Sequence, residues 1–175
     1  MREEERATSL HADDDFSDWV GARWPRLVRS AVLLGCVPAE AEDLVQTTLE
    51  RCLVNWQKVR LAEDRDAYVY RVLVNAFISS RRRRWIGERP TAAVPDRSGP
   101  DETVSVDERD AVMRALDQLT VNQRTAVVLR YYSHLGEKQI AVALGVAPGT
   151  VKSRLSRALK SLAQDPDLAE LRGTS

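Results

Sequence analysis

The stretch EKQIAVALGVAPGTVKSRLSRALKSL, residues 137–162, constrains this chain more than any other feature. Its apolar positions recur at helical steps on either side of one glycine. Ile140, Ala141 and Leu144 fall on one face of a short helix over Glu137–Leu144. Gly145 can take the positive φ of a tight turn, and Pro148 suits the first turn of a second helix, where its missing amide costs nothing. That is helix-turn-helix spacing. In the second helix Val151, Leu155, Ala158, Leu159 and Leu162 form the stripe expected to be buried. Thr150, Lys152, Ser153, Arg154 and Arg157 are then left facing away from the core, as side chains suited to a DNA groove. Arginine and lysine can donate to guanine edges or phosphates, the hydroxyls can donate to phosphate, and the helix N-terminus adds partial positive charge. The plainer alternative is an amphipathic hairpin with a solvated basic face. Against it, no acidic residue lies between Lys138 and Leu162, whereas a merely solvated face mixes signs to form surface pairs. Ala147 is a poor cap for the second helix, a loss of about 1 kcal/mol that Pro148 partly offsets, and Gly136 also stands in for a better cap.

The overall formal charge is zero, from 26 basic and 26 acidic residues, which argues weakly against a nucleic-acid binder. Its distribution matters more. Ala111–Leu162 holds eight Lys/Arg against two Asp/Glu, a net of +6, while Gly87–Asp110 holds three against seven, a net of −4. A basic module follows an acidic connector. The connector, read as residues 87–104, includes GERPTAAVPDRSG, which lacks periodicity and is rich in turn formers, as a flexible tether would be. Ser105 with Glu108 and Thr120 with Gln123 are capping-box pairs that place helix starts just before Val106 and Val121.

The first half predicts three helices. Phe16, Trp19, Val20, Arg23, Leu27, Ala31 and Leu34 recur at three- and four-residue steps. So do Leu44, Val45, Leu49, Cys52, Trp56 and Val59, after a break at Gly35–Pro38. A third segment puts Tyr70, Leu73, Val74, Phe77 and Ile78 on one face and ends in Arg81, Arg82, Arg83, Arg84 and Trp85. Arg71 and Asn75 precede that run. Arginines beside aromatic and amide side chains suit capture of unpaired bases, though a charge run is as often simply solvated. No strand alternation or internal repeat appears, so the fold expected is all-α, in two small helical domains. The boundaries read from the pattern are a disordered acidic tail over 1–15, a first domain over 16–86, the tether, a helix-turn-helix domain over 105–164 and a C-terminal tail over 165–175.

Several function classes are disfavoured. No apolar run approaches the roughly 18 residues of a membrane span, and the acidic opening MREEERATSLHADDD is unlike a signal peptide, so no membrane insertion and a cytoplasmic location are expected. Cys36 and Cys52 lack the paired spacing of a zinc site and read as buried free thiols. Nothing converges on Asp13, Asp14, Asp15, His11 or His134 as a metal or catalytic group, so neither an enzyme, a metal nor a cofactor is expected.

From Phe16 to Leu162 the chain resembles the two-domain sigma factors of the extracytoplasmic-function group of the sigma-70 family, in particular an actinobacterial, SigE-like subgroup with a WVGARWPRL-like opening. AEDLVQTTLERC is similar to the family's region 2.2, DAYVYRVLVN with the arginine run to regions 2.3 and 2.4, and LRYYSHLGEKQIAVALGVAPGTVKSRLSRAL to region 4. The resemblance implies a transcription initiation factor that binds core RNA polymerase through its β and β′ subunits. The helix carrying Asp43, Gln46, Thr47 and Glu50 would dock on the clamp helices of β′. Tyr68, Arg71, Asn75 and the arginines 81–84 would meet the minus-10 element of promoter DNA, with Asn75 and the loop before its helix capturing a flipped base. Thr150, Lys152, Ser153, Arg154 and Arg157 would contact the minus-35 element. Thr47 and Leu49 stand where the family often has Glu and Phe, and Tyr68 where many members have Trp. An inhibitory anti-sigma partner, or packing of the two domains on each other, is expected to hold the free protein inactive. The alternative is a helix-turn-helix regulator that binds DNA without being a polymerase subunit, but the first half has no strand-helix alternation to build its usual sensory domain.

Overall fold

The structure is a computed structural model that describes the backbone of residues 2–87 and 106–173 and the side chains of 15–83 and 106–169. Among the described residues it is all helix. The order is α1 (Arg2–Leu33), α2 (Pro38–Val54), α3 (Trp56–Arg60), α4 (Arg65–Gly87), α5 (Val106–Asp117), α6 (Val121–Val127), a π-helical turn over Val128–Tyr132, α7 (Glu137–Leu144), α8 (Pro148–Ala163) and α9 (Pro166–Gly173). The tether, with Ser105, lies outside the described residues.

The three expected helices of the first half become four. Asn55 both ends α2 and starts α3, its side-chain amide donating to the Arg51 carbonyl at 3.0 Å. Trp56 and Val59 of α3 are thereby turned into the core that α1, α2 and α4 enclose. Most of the predicted stripes are buried. Leu27, Ala31, Leu34, Val45, Cys52, Val59, Leu73, Val74 and Phe77 are each no more than 2% exposed. Ile78 is a correction: one step past Phe77, it rotates out of the stripe and is 47% exposed. Burial pushes the Cys52 thiol up to about 11, and Cys36 is also a buried thiol outside any disulfide. An aromatic group closes one end of this half. Phe16 meets Trp56 edge-on at 5.1 Å, Trp19 lies 5.4 Å from Trp56, and the Arg23 guanidinium sits 4.7 Å from the Trp19 ring while pairing with Asp66 at 2.8 Å.

In the second half the Thr120 cap forms as its sequence predicts, its hydroxyl accepting the Gln123 amide at 3.3 Å while Gln123 accepts the Thr120 amide at 3.0 Å. α5 is helical from Val106, the first residue described after the tether. Two terminal segments differ from the reading as tails. α1 runs back to Arg2, through the acidic opening. At the other end, Asp165 accepts the Leu168 amide at 3.2 Å, Pro166 follows in the first helical turn, and α9 results. Arg114 of α5 holds Asp167 at 2.8 Å, and Gln118 donates to Asp165 at 2.9 Å, so α9 is tied down. The Asp-Pro start signal outweighed the segment's polarity.

The two halves do not stand apart. One apolar cluster runs from Trp19 through Phe77 to Ala158, with α7 laid against α4 and the π-helical turn against α1.

Candidate nucleic-acid interface

The helix-turn-helix forms where the pattern placed it. Gly145 has φ +63° and ends α7, and its amide donates to the Val142 carbonyl at 3.3 Å. Val151, Leu155 and Ala158 turn α8 inward against α6 and α7, each at most 6% exposed. Leu159 is a correction: it is 43% exposed, lying past the edge of a stripe three residues wide, and Leu162 is half-buried. The opposite face presents Lys152 and Arg157 to solvent, with Thr150, Ser153 and Arg154 half-buried at its margin. The Ser153 hydroxyl donates to the Thr150 carbonyl at 3.0 Å, so toward a ligand it offers lone pairs instead of its proton. Ala147 caps α8 with no side-chain hydrogen bond.

α4 carries a second basic face. Arg71 and Asn75, one turn apart, are exposed together with Arg81, Arg82 and Arg83, and Tyr68 is half-buried at the edge. The Arg81 guanidinium lies 5.6 Å from the Phe77 ring, a stacking that holds the start of the arginine run near the helix. The side chains of Arg84 and Trp85 lie outside the described residues. On α2, Asp43, Gln46 and Glu50 form an exposed polar stripe with Thr47 half-buried beside it. Gln46 donates to Glu50 at 3.2 Å. The stripe continues into Leu53 and Val54, 45% and 85% exposed, an apolar extension that the periodicity did not single out. Among the described residues no cluster of His, Cys, Asp and Glu could hold a metal ion, and no helix is long and apolar enough to cross a membrane. Asp15 lies 3.6 Å from Arg60, and His134 is exposed in the turn before α7 with φ 55°.

Two residues with consequences for this interface escaped the sequence reading. Asp64 caps α4, its Oδ1 accepting the Ala67 amide at 2.9 Å, while its Oδ2 accepts a hydrogen bond from Gln139 on α7. Burial pushes the Asp64 carboxyl up, but hydrogen bonds from the Ala67 amide, the Gln139 side chain and the Asp66 amide outweigh it and leave the group below its ordinary value. The capping half of this was legible, as an Asp three residues before Ala67 at a helix start. The Gln139 contact, made across 75 residues of sequence, was not. Arg124, counted in the basic module, is only 7% exposed. It pairs with Asp117 and donates to the Leu33 carbonyl at the end of α1, so its charge does not face DNA in this arrangement.

Comparison with known proteins adds the context. The family description for Sigma-70 region 2 matches residues 22–86, and that for Sigma-70, region 4 matches residues 109–162. The RNA polymerase sigma-E factor of Streptomyces avermitilis is 37% identical over 90% of this chain and 88% of its own. The ECF RNA polymerase sigma factor SigL of Mycobacterium tuberculosis is 36% identical over 78% of this chain and 80% of its own. Among solved structures, the sigma factor RpoE from Bartonella quintana, in complex with the anti-sigma factor NepR, superimposes with a TM-score of 0.72 at 30% identity, covering 85% of this chain and 94% of that one.

Proposed function

Because this chain belongs to the sigma-70 family, as an extracytoplasmic-function sigma factor, we propose a division of labour among its surfaces. It is a non-enzymatic initiation factor that binds core RNA polymerase and directs it to promoters. The first domain, taken as 16–86, engages polymerase through Asp43, Gln46, Thr47 and Glu50 of α2. The same domain meets the minus-10 element through Tyr68, Arg71, Asn75 and the arginines 81–84. The helix-turn-helix domain, taken as 105–164, reads the minus-35 element through Thr150, Lys152, Ser153, Arg154 and Arg157. The observation that carries this reading is the presence of two exposed basic faces, on α4 and α8, on helices that fall within the two separate family matches. Arginines on a helix that follows a base-capturing loop suit a melted strand, and a helix face whose charges are all basic suits a duplex groove. Work with polymerase and promoter DNA places the protein in the cytoplasm, and an anti-sigma factor, as in the Bartonella complex, is a fitting inhibitor.

Run-off transcription of host genomic fragments by core polymerase, with and without the added chain, tests the reading. New defined start sites are expected. Specific DNA binding without any new start would assign the chain instead to ordinary helix-turn-helix regulators.

A further inference from the structure

Among the stripe residues of α1, from Phe16 to Leu34, Arg23 is the charged exception. Its guanidinium lies 4.7 Å from the centre of the Trp19 ring, and its Nε donates to Asp66 Oδ1 at 2.8 Å. That bond joins α1 to the first turn of α4 across 43 residues of sequence. Arginine serves both surfaces at once, because its flat guanidinium stacks on a ring while its edge donates to a carboxylate. Trp19, 7% exposed, is fixed in turn. It lies 5.4 Å from Trp56 of α3, which Phe16 meets edge-on.

Between Trp56 and Asp66 runs the loop that precedes α4. At its entry the Leu61 amide donates to the Gln57 carbonyl and the Ala62 amide to the Val59 carbonyl, both at 3.2 Å. At its exit Asp64 caps α4 through the Ala67 amide at 2.9 Å. A further side-chain bond of the loop, from Gln139 to Asp64, comes from the second half. Within the first half the grip is α1. Phe16, Trp19 and Arg23 stand three and four residues apart and so share one face, whose rings hold α3 while its guanidinium holds α4.

Stability does not account for the ion pair. The Arg23 and Asp66 side chains are 35% and 41% exposed, and pairs so exposed add little to folding. Close packing does not hold the same place either. A cleft of about 20 Å³, room for one water, opens beside the pair between Arg23, Arg26, Leu27, Asp66, Val69 and Tyr70. What the pair fixes is direction, two residues past the end of the loop.

We propose that Arg23 is a positioning residue for promoter opening: stacked on Trp19 and paired with Asp66, it sets the loop before α4 where that loop can capture an unpaired base of the minus-10 element. This rests on the base-capture reading made above. Arg23 touches no base in this role and acts through the loop.

The test is a cycle between residue and base. The full chain is assembled with core polymerase on a promoter fragment recovered by run-off transcription, and open complexes are followed by permanganate reactivity of unpaired thymines. Abasic nucleotides placed one at a time along either strand of the minus-10 element identify the captured position, as the one whose loss weakens wild type most. Arg23→Ala should lower open complexes about 10-fold on the intact promoter, the scale of one lost base contact. On the promoter abasic at the captured position the same substitution should cost less than about twofold, because the base that the loop would hold is already gone. Arg23→Lys keeps the charge without the flat stack and should fall between. Asp66→Asn should repeat the Arg23→Ala pattern, and combining the two should add less than about twofold. The urea midpoint and the affinity for minus-35 duplex should stay at wild-type values in all of these variants.

Equal losses on the intact and abasic promoters would make Arg23 a general structural residue and overturn the proposal. So would a full complement of open complexes in Arg23→Ala, or a fall in the urea midpoint that tracks the lost open complexes from variant to variant. If no abasic position affects the wild type although it still starts transcription, the base-capture reading itself falls and takes the positioning role with it.

Discussion

In the first half of the molecule the core is made of rings: Trp19, Trp56, Tyr70 and Phe77 are all buried, with Phe16 closing over them. Among the described residues, the buried apolar side chains of the second half are Ala, Val, Leu and Ile, on helices mostly shorter than α1 and α4. Both halves are small, and a small domain buries a low share of its surface. Large rings compensate by burying more area per residue. The second half instead depends on its helix ends, with caps at Thr120 and Asp165, and on its contact with the first. The helix-turn-helix is thus built on the half with the lighter core.

The strongest way to break that contrast is to hollow the ring core. Phe77 is 1% exposed, so Phe77→Ala should cost about 3–5 kcal/mol, read as a fall in the urea midpoint of helicity. Ile140, 0% exposed in α7, should cost about 2–5 kcal/mol as Ile140→Ala. The two halves share one core, so each change should shift a single common transition. Two resolved transitions, each answering to only one of the substitutions, would show that the halves unfold independently.

The contrast between the two basic faces, proposed to read the two promoter elements, is sharpened by a crossed pair. Arg154→Ala or Arg157→Ala should weaken binding to the minus-35 duplex by about 1–3 kcal/mol if the side chain reads a base. Asn75→Ala should leave that binding within about 0.5 kcal/mol of wild type while impairing open-complex formation, seen as lost permanganate reactivity of unpaired thymines. Unchanged duplex affinity in both arginine variants would remove α8 as the reading face. Parallel loss of both functions in Asn75→Ala would remove the division of labour.

The outlines of both halves, the turn at Gly145, the cap at Thr120 and the weak start of α8 at Ala147 were legible because each rests on a local rule: helical periodicity, a positive φ, a side chain three residues from an amide or the lack of one. The misreadings fall where a local rule meets its edge. Ile78 and Leu159 satisfy the apolar pattern, yet each lies one step beyond the angular width that the neighbouring helices cover. Asn55 divides α2 from α3 with a side-chain bond that no periodicity signals. Arg124 is the furthest from legible, because its Leu33 partner is 91 residues away and the sequence marks it as one more basic residue of a basic module. Its role follows from the docking of the two halves, and docking depends on shape at separations that a pattern of residues does not encode.

The smallest effects concern the two weak caps, which separate a free position from a committed one. Ala147 precedes α8 in extended conformation, at φ −67° and ψ 148°, and supplies no side-chain bond. Ala147→Ser places a hydroxyl within reach of the first-turn amides and should add about 1 kcal/mol. Gly136 stands before α7 in nearly the same conformation, but there Gln139 already accepts the cap amide, and a Cβ at position 136 would press to 3.3 Å against the Gln139 Oε1. The gain from a new hydroxyl in Gly136→Ser is therefore offset by displacing a side chain that also binds Asp64, and the net change should stay within about 0.5 kcal/mol. Urea midpoints of the two variants decide it. Equal stabilisation would mean that Gln139 is not held where both its bonds place it, and that α7 is free to recap without disturbing the first half.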